Sequence, residues 1–174
     1  MNQYFLQEAR KGNVYHSHNT THGAVTALST TCTGLVLANP INSGRDLIVA
    51  QATFVGSTLT TLENIGLVVA TVAESAIATA TTAAVIHNAR LQGGDNVTGT
   101  ADVYSIATLT STPIWLRPLG ACRVTGAVEG QEAFVAEFDG TLIVGPGMYI
   151  AFATLTTART GLCSFTWAEA RPIG

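Results

Sequence analysis

The sequence predicts an all-β chain: an antiparallel, jelly-roll-like β-sandwich preceded by an N-terminal arm. Three observations carry this reading. Short apolar runs alternate with polar or small residues at period two, the spacing that sends successive side chains to opposite faces of a strand. These runs recur about every 10 to 15 residues, with Gly, Asn and Pro clusters between them. The chain's 174 residues suffice for one domain with a core, because a domain of this size buries roughly 70% of its unfolded surface.

Taken in order, residues 1–23 stand apart. They hold Gln3, Gln7, Glu8, Arg10 and Lys11 and three of the four histidines, without sustained alternation. Tyr4, Phe5 and Ala9 lie at helical spacing, so a short helix over 1–11 and an extended arm both stay open. Arms of this kind become ordered against a neighbour. The expected division is therefore an arm, 1–23, and a sandwich, 24–174. Short strands are expected at 24–29 and 34–38, followed by the turn residues Asn39-Pro40 and Asn42-Ser43-Gly44. Residues 46–55 alternate, with Leu47, Val49 and Gln51 opposite Ile48, Ala50, Ala52 and Phe54. Residues 64–72 are apolar or small on both faces, the mark of a strand buried on two sides.

Residues 74–90 conflict internally. Their alanines favour helix, while Thr79, Thr81 and Thr82 and the alternation of Ala76, Ala78 and Ala80 with Ile77 favour a loop and then a strand at 83–89. Gly93-Gly94-Asp95-Asn96 is a break, and 101–109 reads as a strand. Pro113 and Pro118 place 112–119 at a sheet edge or in a connector. Residues 132–138 alternate again. The last stretch, 138–173, reads as a long hairpin turning at Gly145-Pro146-Gly147. Its second strand carries Met148, Ile150 and Phe152 on one face, and its closing strand Cys163, Phe165 and Trp167. Eight or more strands without a Cys-Trp-Cys pattern favour a jelly roll over an immunoglobulin-like sandwich.

Charge is the compositional outlier. Charged residues make up 11% of the chain, against about 25% in ordinary soluble domains. There is one lysine, and 26 threonines and 25 alanines stand where charges are usual. Soluble monomers rely on mixed surface charge, so much of this surface is expected to lie against other protein. A net charge of −3 and scattered arginines offer no patch to neutralise phosphates, which argues against a nucleic-acid partner. The most apolar run, 65–73, is shorter than the about 20 residues of a spanning helix, and residues 1–12 lack the apolar core of a signal peptide. No membrane partner is expected. Cys32, Cys122 and Cys163 follow no disulfide or zinc spacing and read as small buried thiols.

Chemical motifs are sparse. His16, His18 and His22 form H-x-H-x3-H. In an extended segment His16 and His18 share a face and could grip one metal, and three such pairs on a threefold axis would offer six imidazoles. A solvated polar arm is the simpler reading. Glu129 with Glu132 and Glu137 with Asp139 are carboxylate pairs of the type used in glycoside hydrolysis, but Asp139-Gly140 reads more simply as a turn. Gly145-Pro146-Gly147 opens a strand, so no helix terminus awaits a phosphate. Ser57, Ser105 and Ser111 lack a nucleophile-elbow frame. Asn19-Thr20-Thr21 and Asn96-Val97-Thr98 match the glycosylation sequon and are set aside for want of a signal peptide. Trp167 alternates with Phe165 and reads as core, whereas Trp115, between two prolines, reads as a rim or interface residue. No catalytic, cofactor-binding or metal residue is assigned, and no enzyme is expected.

Three stretches carry a family resemblance: residues 34–47 (GLVLANP followed by SGRDL), 114–120 (IWLRPLG), and the ending, with Asp139-Gly140-Thr141-Leu142-Ile143-Val144, Gly145-Pro146-Gly147 and Phe165-Thr166-Trp167-Ala168-Glu169. Together they resemble virion proteins of tailed bacteriophages over roughly 24–173. The resemblance implies a compact jelly roll that trimerises and sits on the outer capsid surface as a decoration (cement) protein or head fibre. The implied partners are the major capsid protein and two further copies of the chain, in a virion assembled in the host cytoplasm. It transfers no catalytic residue. On this reading the arm reaches a neighbouring capsomer through Tyr4, Phe5, Leu6 and Tyr15. The second face of the 148–155 strand, with Tyr149, Ala151, Ala153 and Leu155, is the expected contact surface. A fibre-type module adhering to host glycans, with Trp115 as its platform, is the alternative.

Overall fold

The computed structural model describes residues 3–21, 23–58, 63–91, 99–122 and 133–172. Among the described residues one helix, α1 (Gln3–Lys11), precedes twelve strands. These are β1 (Val14–His18), β2 (Gly23–Val25), β3 (Thr31–Ala38), β4 (Asp46–Thr58), β5 (Glu63–Val69) and β6 (Ala78–Ala83), then β7 (Ile86–Asn88), β8 (Asp102–Leu109), β9 (Ile114–Cys122), β10 (Ala133–Val144), β11 (Tyr149–Thr154) and β12 (Arg159–Ala170). The fold is an all-β sandwich of two antiparallel sheets. One runs β10-β4-β12-β1-β7, with β2 also paired to β12, and the other runs β6-β8-β3-β11-β5-β9. Leu37, Phe54, Leu67, Phe152, Phe165 and Trp167 are fully buried between them.

The stretch expected as an arm is divided differently. Residues 3–11 form the helix, closed by Gly12 at φ +83°. The Gly12 N–H bonds to Ala9 O and the Asn13 N–H to Glu8 O, the paired bonds of a glycine C-cap that only a residue tolerant of positive φ permits. Residues 14–18 are then an interior strand, β1, paired to β12 on one side and β7 on the other. Tyr15 is no outlying anchor: it is buried and stacks on Trp167 at a 5.9 Å ring separation. The hydropathy pattern hides this strand because its second inward residue is Ser17, whose hydroxyl donates to Val85 O.

Two bulges and two sheet crossings account for the other differences. In β4, Leu47, Val49, Ala52 and Phe54 all face the core. The register with β12 slips between Thr166 and Trp167, so an extra β4 residue reverses the alternation midway. Asp139 and Gly140, expected as a turn pair, lie at φ +47° and +85° inside the continuous strand β10, where the register with β4 also shifts. The segment 145–147 does not turn a hairpin: it carries the chain from β10 in one sheet to β11 in the other. In the stretch expected as a loop and then a strand at 83–89, strand β6 of the second sheet occupies much of the expected loop, and the expected strand is reduced to the short β7 of the first sheet. The edge position expected for 112–119 is observed in β9.

The doubly apolar strand is β5. Ile65 and Leu67 enter the inter-sheet core, while Val68 and Ala70 join Val36, Tyr149 and Ala151 in a second buried cluster, which Ile77 completes and Trp115 packs against. Its first residue, Glu63, is 4% exposed. The carboxylate accepts bonds from the Thr156 hydroxyl (2.6 Å) and the N–H groups of Thr157 (2.7 Å), Asn64 (3.0 Å) and Thr156 (3.3 Å). Burial alone would raise its pKa, but these donors outweigh burial and hold it down, to about 2.

Two predictions follow from this architecture. A chain shortened to begin at Asn13 keeps a cooperative urea transition, and one beginning at Asn19 loses it. Removing a core aromatic such as Tyr15 costs about 3–5 kcal/mol, against a domain stability of about 5–15 kcal/mol. Because Glu63 has a depressed folded-state pKa, its contribution is complete above the ordinary value of 4.5 and is lost as pH falls toward 2. Glu63→Gln should therefore lower the unfolding free energy from urea titration at pH 7 by about 1–3 kcal/mol, with the gap to the parent closing toward pH 2.

Candidate interaction surface

The outward positions of the first sheet follow from its pairing. Val135 opposes Thr53, Glu137 opposes Gln51, Ser164 opposes His18 and Thr53, and Thr166 opposes His16 and Gln51. The alternate positions, Phe54, Ala52, Phe165 and Trp167, are buried in the core. The open face thus presents Val135 and Glu137 on β10, Gln51, Thr53 and Val55 on β4, and Leu162, Ser164 and Thr166 on β12. His16 and His18 on β1 and His87 on β7 complete it. Among these, Glu137 is the one carboxylate or basic side chain other than histidine. Val135 is 56% exposed, and Ile143, outward beyond the bulge of β10, is 55% exposed. Ile143 begins the cross-strand row Ile143–Ile48–Ala168–Val14, and in that row Val14 and Ala168 are buried. A Cβ on Gly140 would meet Ile48 at 3.4 Å and Phe5 at 3.8 Å, so α1 lies over this end of the sheet.

Histidines occupy the β1–β7 margin of that face. His16 and His87 are paired directly across the strands. His18 and His87 stack with ring centroids 6.1 Å apart and planes 15° apart. His16 Nδ1 lies 2.9 Å from Thr166 Oγ1, and His18 Nδ1 lies 3.0 Å from the Asn19 carbonyl. Partial burial of the His16 ring, and then the charge of His87, lower its pKa below the usual range. The sequence motif found His16 and His18 but missed His87, which comes from a distant strand and shows no spacing signal. His22 lies outside the described residues, as do Glu129, Glu132 and the Asn96-Val97-Thr98 sequon. In the present rotamers no group of three or more His, Cys, Asp or Glu side chains among the described residues is placed to hold a metal ion.

The contact face expected on β11 is instead filled by the chain itself. Tyr149, Ala151 and Ala153 are nearly inaccessible within the second cluster, and of that set Leu155 alone is exposed. The expectation failed because a face too apolar for water can be covered by a loop of the same chain as readily as by a neighbour. Leu155 borders a hollow of roughly 300 Å³ with Ile65, Trp115, Leu116 and Pro118. Trp115 is half-buried; its ring lies over Gly66, where an added Cβ would come within 2.7 Å of Cζ3. That close approach requires glycine, and it turns the indole toward the protein rather than a rim.

The remaining motif residues take structural places. Trp167 is core, with its indole N–H 3.5 Å from Glu169. Ser105 donates to Thr82 O, and Ser111 to Glu74. Glu137 and Asp139 are exposed on β10. Cys32 and Cys163 are buried free thiols whose pKa burial raises, Cys32 to about 11, so neither is a thiolate near neutrality. Asn19 is no glycan acceptor in this setting: it is buried, with Nδ2 donating to Thr21 O and Gly161 O and Oδ1 accepting from the Cys163 N–H. Asn19→Ala should destabilise the fold by about 1–3 kcal/mol in urea unfolding, since it strands buried partners.

No protein-family model, curated protein or solved structure matches the chain.

Proposed function

We propose that this chain is a structural assembly protein: a jelly-roll decoration (cement) protein of a tailed-phage capsid, working as a homotrimer that buries broad β faces against its own copies and the shell. One observation carries the reading. The outer face of the first sheet spans five strands, is built of Thr, Ser, Gln, His and aliphatic residues, and bears almost no charge. Such a face is poorly suited to keeping a monomer soluble, and it supplies the flat, weakly charged area from which oligomer contacts are made.

The wiring supports the finer fold assignment. With β1, β3, β4, β5, β9, β10, β11 and β12 numbered one to eight, the sheets contain the orders 1-8-3-6 and 2-7-4-5, an arrangement of the jelly-roll type. On this assignment β6, β7 and β8 are an insertion between the fourth and fifth strands, and β1 is the first strand of the roll. The capsid partner itself is inferred from the family resemblance and the charge deficit.

Light scattering should give a mass near three times 18.1 kDa. Val135→Lys with Thr53→Lys, both on the open face, should dissociate the oligomer while the chain keeps a single cooperative urea transition, now independent of protein concentration. The parent, but not the double variant, should raise the melting temperature of the encoding phage's shells. A parent protein that is monomeric at micromolar concentration and does not bind shells would overturn the proposal.

A further inference from the structure

The histidine margin of the first sheet carries an inference independent of any capsid role. We propose that His16, His18 and His87 form a surface site for a borderline divalent transition-metal cation, Zn²⁺ or Ni²⁺, with three imidazole ligands and at least one coordination position open.

The sheet supplies the placement. Residues directly opposed on antiparallel strands have Cβ atoms about 4.5–5.5 Å apart, and His16 and His87 are such a pair. His18 stands two residues along β1, on the same face and about 7 Å away by strand rise. The three side chains therefore occupy adjoining positions on a rigid sheet, where imidazoles reach a common ion with metal–nitrogen bonds of about 2.0–2.1 Å. All three are exposed, so a hydrated cation has access and the rings have room to turn.

The hydrogen bonds select the right nitrogens. A carbonyl only accepts, so the contact of His18 Nδ1 with Asn19 O places the proton on Nδ1 and leaves the lone pair on Nε2. That is the tautomer a metal ligand needs, and outer bonds of this type orient ligating histidines. The contact of His16 Nδ1 with the Thr166 hydroxyl runs in either direction, and with Nδ1 as the donor it sets the same tautomer on His16. In the present rotamers His18 and His87 stack face to face, so their nitrogens do not converge. Binding requires the two rings to turn out of the stack, a side-chain rearrangement on an open surface. Imidazole donors without a thiolate or carboxylate suit zinc, nickel and copper, and not calcium or magnesium.

The test titrates the full-length chain with ZnCl₂, and separately NiCl₂, in a non-chelating buffer. Calorimetry gives affinity and stoichiometry, and the histidine ring signals are followed by NMR. One ion per chain is expected, with the His16, His18 and His87 signals shifting together. His87→Ala and His87→Gln should each weaken binding by at least about tenfold at an unchanged urea midpoint, and His18→Ala should match them. Absence of binding at roughly 1 mM free metal, or binding that both His87 variants leave intact, would overturn the proposal.

Discussion

Strand β12 is hydrogen-bonded along both edges, to β4 on one side and to β1 and β2 on the other, and the rest of the sandwich is arranged around that ladder. A strand so enclosed has no unpaired backbone to lose to water, and its inward side chains, Cys163, Phe165 and Trp167, are held in the core. The first and last strands therefore meet in the interior of one sheet. The Tyr15–Trp167 stack and the Asn19 bonds to Gly161 O and the Cys163 N–H join the first strand to the last. The Glu169 carboxylate continues the same strand's reach, accepting from the N–H groups of Thr100 and Ala101. Contacts this distant in sequence cost loop entropy before they return any energy, a cost general to all-β topologies.

The open edges and faces follow from what the central ladder leaves over. The second sheet ends at β9, where Pro118 removes an N–H from the ladder, and the first ends at β10, which is bent by the Asp139-Gly140 bulge. Proline and bulges are devices that discourage edge-to-edge aggregation. The flat outer face of the first sheet carries threonines and serines, which provide hydrogen-bonding groups without the desolvation cost of charges. On the second sheet the outward side chains of β11 are buried within the chain, while β6 and Ile106, Ile114 and Leu116 of β8 and β9 are exposed.

Much of the strand framework was legible in the sequence, and the reasons for the misses are local. Period-two patterning located β4, β8, β11 and β12, and proline placed β9 at an edge. The pattern could not show the bulge in β4, since one extra residue leaves composition unchanged while reversing every later face. It also could not show that the segment after Val144 leaves its sheet, because a glycine-proline turn serves a hairpin and a crossing equally well. Strand β1 escaped because Ser17 faces inward and satisfies its hydroxyl on Val85 O, so a polar residue stands where alternation expects an apolar one.

By itself, then, the sequence determined the class of the protein: β-branched and alternating residues make strands, and scarcity of charge makes a surface suited to burial. Tertiary structure decided which apolar faces remained available and which histidines became neighbours. Side-chain period says only that a residue points to one side of its strand. Whether that side meets water, another sheet or a returning loop depends on pairing and register over separations of up to about 150 residues, as between His16 and Thr166.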